Sequence, residues 1–168
     1  MTTSAETVVH QPDWRMLIRH PAHFFALGMG SGLAPKAPGT FGTLAAFPLY
    51  WVLTPLMNDY TFLLFLLASY FLGVWMCDKT GREIGVSDHG SIVWDEIVAF
   101  MLVLFFTPAG IAWQVLAFVL FRLFDIVKPQ PIKYFDQNMH GGSGVMFDDL
   151  LAAGYALFVM ALIKSMLE

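Results

Sequence analysis

The chain's charges stand so far apart that long stretches must lie against something apolar. Between Lys36 and Asp59 there are 22 uncharged residues, between Asp59 and Asp78 there are 18, between Glu96 and Arg122 there are 25, and between Asp149 and Lys164 there are 14. A helix that crosses a bilayer needs about 20 mainly apolar residues. Residues 60–77 (YTFLLFLLASYFLGVWMC) are the best single candidate, and residues 43–57 are a shorter one interrupted by Pro48 and Pro55. Composition agrees. Hydrophobic residues make up 57% and charged residues 13% of the 168, against about 45–50% and about 25% in soluble domains. This balance argues against an ordinary soluble enzyme and against disorder. Nine Lys/Arg against thirteen Asp/Glu leave no basic stripe for nucleic acid. The first twenty residues hold no long apolar run of the kind a cleaved secretory signal needs. A single cysteine, Cys77, excludes an intrachain disulfide and a multi-cysteine zinc site; it reads as a buried small hydrophobe.

The 25-residue run is split by Thr107-Pro-Ala-Gly110, a turn-like cluster. It is either one span or a hairpin whose 11-residue arms would each rise only about 16 Å. Charge favours the hairpin. If 43–57 and 60–77 form one hairpin and 97–121 a second, then Arg15, Arg19, Lys36, Lys79, Arg82, Arg122, Lys128 and Lys133 fall on one face, as the cytoplasmic side of a membrane protein requires. A last helix, 150–167, then enters from the same face. The expected fold is all-α: a compact helical membrane protein with apolar hairpins and polar loops gathered at one membrane face. A cytoplasmic N-terminal segment, 1–22, precedes it. Trp14 and Trp94 are candidate interface anchors, with core packing the alternative for Trp94.

Four polar stretches interrupt the apolar runs. Residues 28–43 hold five glycines, two prolines and Lys36; glycine lets backbone N–H groups approach a phosphate, although the spacing is neither a dinucleotide fingerprint nor a P-loop. A membrane-entry loop is the plainer reading. Asp88-His-Gly-Ser-Ile-Val-Trp-Asp95-Glu96 sets two carboxylates before an apolar helix, either as oxygen ligands for Mg²⁺ or as acids favoured by the helix dipole. Arg122, Asp125 and Lys128, at i, i+3 and i+6, form one polar stripe ahead of Pro129 and Pro131, and a structural salt bridge would explain them equally. His140-Gly-Gly-Ser-Gly-Val-Met-Phe-Asp148-Asp149 repeats the pattern of a glycine-rich turn, a carboxylate pair and an apolar helix. Together these stretches say more than each alone. Carboxylates converging at one interface would repel unless a cation sat among them, and ionisable groups against membrane helices are expensive and usually functional. A Mg²⁺-dependent site acting on a phosphate is the simplest account.

On these motifs, GSGLAPKAPGTFGT at 30–43, DHGSIVWDE at 88–96, FRLFDIVKPQP at 121–131 and GGSGVMFDD at 141–149, the sequence resembles the phosphatidylglycerophosphatase A family from about His23 to Lys164. The resemblance implies one helical domain over 23–168. It also implies a lipid phosphatase that hydrolyses phosphatidylglycerophosphate to phosphatidylglycerol and phosphate with Mg²⁺. Such an enzyme would sit in the bacterial inner membrane as a multi-pass protein, its active site facing the cytoplasm.

Other phosphatase chemistries fail on spacing. Only four residues separate Cys77 from Arg82, where cysteine phosphatases need five, and no D-x-D pair occurs. Metal-activated water remains. Asp95, Glu96, Asp125, Asp148 and Asp149 are the expected metal ligands, one of them serving as general base, with His89 the other candidate base and His140 a weaker one. Five carboxylates exceed the one or two that usually hold a single Mg²⁺, so some act as base or outer support, or two ions bind. Lys36, Thr40, Arg122 and Lys128 are expected to bind the substrate phosphate. A rival reading is a non-enzymatic cation-binding or transport protein, but the acids stand at helix starts near one face rather than at mid-membrane. The signatures of CDP-alcohol phosphatidyltransferases and type 2 lipid phosphatases are missing.

Overall fold

A few capping residues decide where each apolar run starts and stops. The computed structural model describes residues 9–167, and every regular element among them is helical. Two short helices, α1 (Trp14–Arg19) and α2 (Pro21–Ala26), lead through a 3₁₀ stretch at Gly28–Leu33 into α3 (Pro38–Leu53). Pro38 opens α3 because its fixed φ suits a first helical position. The expected glycine-rich loop at 28–43 is therefore a 3₁₀ stretch, a four-residue link at 34–37 and the start of α3, which begins five residues earlier than the apolar run. Helix α4 (Asp59–Ile84) starts at Asn58, whose side chain accepts the Thr61 N–H at 3.0 Å, and ends at Gly85 in the left-handed region (φ 92°).

Helices α5 (Trp94–Phe106) and α6 (Ile111–Val127) are separated by the Thr107–Gly110 turn, so residues 97–121 are not one helix. The two run antiparallel: Glu96 at the start of α5 meets Arg122 near the end of α6, and Phe100 packs on Phe118 and Phe121. A seven-residue helix, α7 (Ile132–Asn138), follows the prolines. Helix α8 (Gly141–Leu167) begins nine residues before the expected 150, because its glycine-rich start is helical. Gly142 makes this possible. A Cβ there would stand 1.8 Å from the Val74 carbonyl oxygen, so only glycine lets α8 lie this close to α4.

α5 is the axis of the molecule, with nine of its thirteen residues buried among α3, α4, α8 and α6. Phe62, Ile97, Phe100, Met101, Phe121 and Met146 are almost wholly buried, each stabilising by about 1.5–3 kcal/mol relative to exposure in water. Trp94 belongs to this core rather than to an interface: it is 7% exposed and donates its indole N–H to the Ser69 carbonyl at 3.2 Å. Trp14 is exposed. The outer faces are apolar too, with Trp51 and Val52 on α3, Leu64 and Phe71 on α4, Val119 on α6 and Phe158 on α8 all exposed. Exposed apolar surface on this scale marks a membrane or partner surface. Two helices, α4 and α8, are long and apolar enough to cross a membrane.

Candidate active site

The helices bring their polar ends together. The first two turns of α3, the first turn of α5, the last two turns of α6 and the third turn of α8 supply one cluster built around two cations. Arg122 is the first. Its Nη1 donates to Glu96 Oε1 at 2.9 Å and to Thr43 Oγ1 at 3.3 Å, and lies 2.6 Å from Asp125 Oδ2. The three charged side chains are 12–14% exposed. Thr43 in turn donates to the Gly39 carbonyl, which ties α3 into the cluster. Gly39 is required by close approach: a Cβ there would fall 2.0 Å from Glu96 Oε1.

Lys128 is the second cation. It closes α6 in the left-handed region (φ 45°), a conformation that costs a non-glycine residue about 1–2 kcal/mol. The bend turns its ammonium away from Arg122 and onto Asp136 and Asp148, each at 2.5 Å. The expected Arg122–Asp125–Lys128 stripe is thus divided, since Lys128 lies beyond the helix. Burial works against the Lys128 ammonium, but the two carboxylates more than offset it and hold its pKa above the ordinary lysine value.

Four buried polar atoms among the described residues have no hydrogen-bond partner: Asp95 Oδ1, Glu96 Oε2, Asp149 Oδ2 and Arg122 Nε. Asp95 is 7% and Asp149 2% exposed. The electrostatic neighbours of Asp149 include Asp125, Asp95 and Glu96. Buried polar groups are normally satisfied, so three unmet carboxylate oxygens in one cluster fit a hard cation in donor chemistry and charge. The acids are not gathered as a closed set: among the described residues no three Asp, Glu, His or Cys side chains converge as a ligand group. Glu96 and Asp125 face Arg122, while Asp148 faces Lys128.

The remaining expected residues sit at the edge. Lys36 is exposed three residues before Gly39 and makes no ion pair among the described residues, and Thr40 is half-buried in the first turn of α3. His89 accepts the Ser91 N–H through Nδ1 at 3.2 Å, a loop-shaping contact. His140 is exposed just before α8. Asp148 and Asp149 lie in the third turn of α8 rather than at its start, so they are not capping acids. Three contributors were not singled out from sequence. Asp136 looks like a surface acid until the bend at Lys128 brings it in, Thr43 looks like an ordinary small residue, and Asp88 adds charge facing Lys128. Asp88 alone carried a signal, since it opens the motif that ends in Asp95-Glu96.

An apolar helical frame with buried acids and two cations at one polar end is suited to a lipid phosphatase. Residues 24–164 match the model of the phosphatidylglycerophosphatase A family, and the chain belongs to that family. It is 45% identical to phosphatidylglycerophosphatase A of Haemophilus influenzae over 92% of this chain and 96% of that one. It is 42% identical to the Escherichia coli K12 protein of the same name, over 86% of this chain and 87% of that one. A Bacteroides thetaiotaomicron relative, 37% identical over 82% of this chain and 89% of its own, is provisionally named a phosphatidylinositol-3-phosphatase. No solved structure matches the chain.

Proposed function

We propose that this protein hydrolyses phosphatidylglycerophosphate to phosphatidylglycerol and inorganic phosphate, with Mg²⁺ as cofactor, at the cytoplasmic face of the bacterial inner membrane. The observation that carries the proposal is the trio of buried, unmet carboxylate oxygens on Asp95, Glu96 and Asp149 beside Arg122 and Lys128. Among the described residues no three acids converge as a closed ligand set, so to hold the metal Asp95, Glu96 and Asp149 would have to draw together around it, with Asp125 and Asp148 supporting them. Bound Mg²⁺ would lower the pKa of an attacking water and offset phosphoryl charge.

The chain's own groups account for the rest. Water oxygen bonds to phosphorus as the bond from phosphorus to the glycerol oxygen breaks. A carboxylate of the cluster accepts one proton of the water and passes it to the departing glycerol oxygen, which leaves as the alcohol. Arg122 and Lys128 exchange part of their hold on Glu96, Asp125 and Asp148 for the phosphoryl oxygens. Lys36 and Thr40, at the lip, guide the anion in. The orientation rests on the charge pattern of the sequence, in which a two-hairpin arrangement gathers the eight basic residues from Arg15 to Lys133 on one face, as a cytoplasmic side requires.

The test is phosphate release from phosphatidylglycerophosphate by the purified protein with Mg²⁺ and then with EDTA, alongside Mn²⁺ binding followed by its paramagnetic resonance spectrum. Release that EDTA abolishes, with Mn²⁺ binding that Asp149→Asn weakens, is expected. Release indifferent to EDTA overturns the metal, and no release from well-folded protein overturns the substrate. Phosphatidylinositol 3-phosphate, assayed in parallel, tests the headgroup. A cysteine placed at Thr107 should react with reagent added from the side opposite the site if the hairpin crosses, and resist reagent from both sides if it only dips in.

A further inference from the structure

A cavity of about 270 Å³ opens between α4, α5 and α8. Its wall is apolar along its length, from Leu63 and Leu102 at one end to Phe71 and Phe147 at the other, and Asp95 is the one charged residue that lines it. Because α4 and α5 run antiparallel, the Leu63 end lies deep and the Asp95 end lies at the polar cluster. The cavity follows about two turns of α4, roughly 12 Å of rise. Its rim is not core: Leu67 and Phe71 are 54% and 65% exposed, on the outer apolar face of α4.

We infer that this cleft seats one acyl chain of the lipid substrate, with Asp95 marking where chain ends and headgroup begins. The inference rests on the lipid-phosphatase reading. Three observations select this occupant. The cleft is continuous with the site through Asp95, whose unmet Oδ1 belongs to the site's acids. It is apolar at depth and charged at one end, the polarity of an amphiphile. It opens beside a helix long and apolar enough to cross a membrane, so a chain could enter sideways from the hydrocarbon. A second apolar cavity, lined by Phe25, Leu49, Leu72 and Trp75, contains no charged residue and serves as the internal comparison. Chain binding here would fix the distance between membrane depth and phosphorus, using binding energy remote from the reaction to position the phosphate.

The experiment fills each cavity from its exposed rim and compares long-chain with dihexanoyl phosphatidylglycerophosphate in detergent micelles. Leu67→Trp should raise KM for the long-chain lipid about tenfold, leave kcat within about twofold, and leave the short-chain lipid unchanged. Leu72→Trp, at a residue 58% exposed on the other cavity, should change neither. Equal losses on both lipids, or equal effects of the two variants, overturn the inference. Should Leu67→Trp melt early, the wild-type chain gives the answer. A lipid carrying a photoreactive group in its acyl tail should label α4 and α8 near Leu67, Phe71 and Phe147; labelling confined to the Phe25 cavity, or links to a second copy in its place, overturns it. If wild-type protein releases no phosphate from either lipid, the proposed reaction fails, while the photolabel still decides the cleft.

Discussion

The two carboxylate pairs look alike in sequence and are built differently. Asp95-Glu96 opens a helix, where the dipole favours acids. Asp148-Asp149 lies two turns inside one, where no such help exists. Yet each pair divides in the same way. One member, Glu96 or Asp148, is bound to a cation, and the other, Asp95 or Asp149, makes no ion pair and is buried with an oxygen left unmet; Glu96 does both, since its Oε1 meets Arg122 while its Oε2 is unmet. Helical geometry permits the division: adjacent residues point about 100° apart, so the two members of a pair can meet different partners. A doublet of acids is therefore two functions side by side, a brace and a free donor.

The sharpest way to break this comparison is to neutralise the free donors. Asp149→Asn and Asp95→Asn keep shape and remove charge, and each should lower phosphate release by about 10²–10³-fold, the scale on which single charge-stabilising groups matter. Their thermal midpoints should hold or rise, because no ion pair is lost. Glu96→Gln and Asp148→Asn should lower the midpoint as well as the rate. Wild-type turnover in Asp149→Asn and Asp95→Asn would show that the unmet oxygens of these two acids have no part in the reaction.

The braces form a second comparison. Arg122 serves Glu96, Asp125 and Thr43 at 14% exposure, while Lys128 serves Asp136 and Asp148 at 25%. Arg122→Met strands two acids in the interior and should cost about 3–5 kcal/mol, as breaking a buried pair does. Lys128→Met should cost less, because Lys128 and its partner Asp136 lie nearer solvent, at 25% and 29%, than the Arg122 group, and only Asp148 is left deeply buried. Thermal melts in detergent rank the two. Arg122→Lys should recover part of the stability but not the double contact to Glu96 and Thr43.

Much of this was legible in the sequence. Gaps between charges located α4, the turn at 107–110 and the all-helical frame, because apolar runs of helical length have few alternatives. The four polar motifs named Glu96, Arg122, Asp125 and Asp148, all of which meet a charged partner in the cluster. Helix starts were less legible. The segments PGTFGT and GGSGVMF look like loops, since isolated glycines disfavour helix, but close packing against Glu96 and Val74 rewards the missing side chains. Which acid meets which cation could not be read either. The i, i+6 spacing put Lys128 beside Arg122, whereas one left-handed residue sends it to Asp136, eight residues further on. Trp94 shows the same limit. An aromatic at a predicted membrane surface is equally at home in a core, and the Ser69 carbonyl decided it.

The smallest effect separates glycine as a fitting from glycine as a filler. Gly39→Ala would push a methyl to 2.0 Å from Glu96 Oε1, so Glu96 must move and its bond to Arg122 must lengthen. Phosphate release should fall about tenfold, equivalent to about 1.4 kcal/mol in the barrier, with little change in helix content. Gly154→Ala, in the middle of α8, meets nothing within 4 Å. There the methyl only improves helix propensity, by about 0.8–1.0 kcal/mol, and activity should not change. Both are glycine-to-alanine changes inside helices, so local propensity alone predicts the same outcome for the two. A fall in rate at Gly39 with a rise in melting midpoint at Gly154 would show that the α3 glycine is there for Glu96. Equal behaviour at the two positions would mean that Glu96 can be displaced without consequence, and the brace built on Arg122 would lose its place in the reaction.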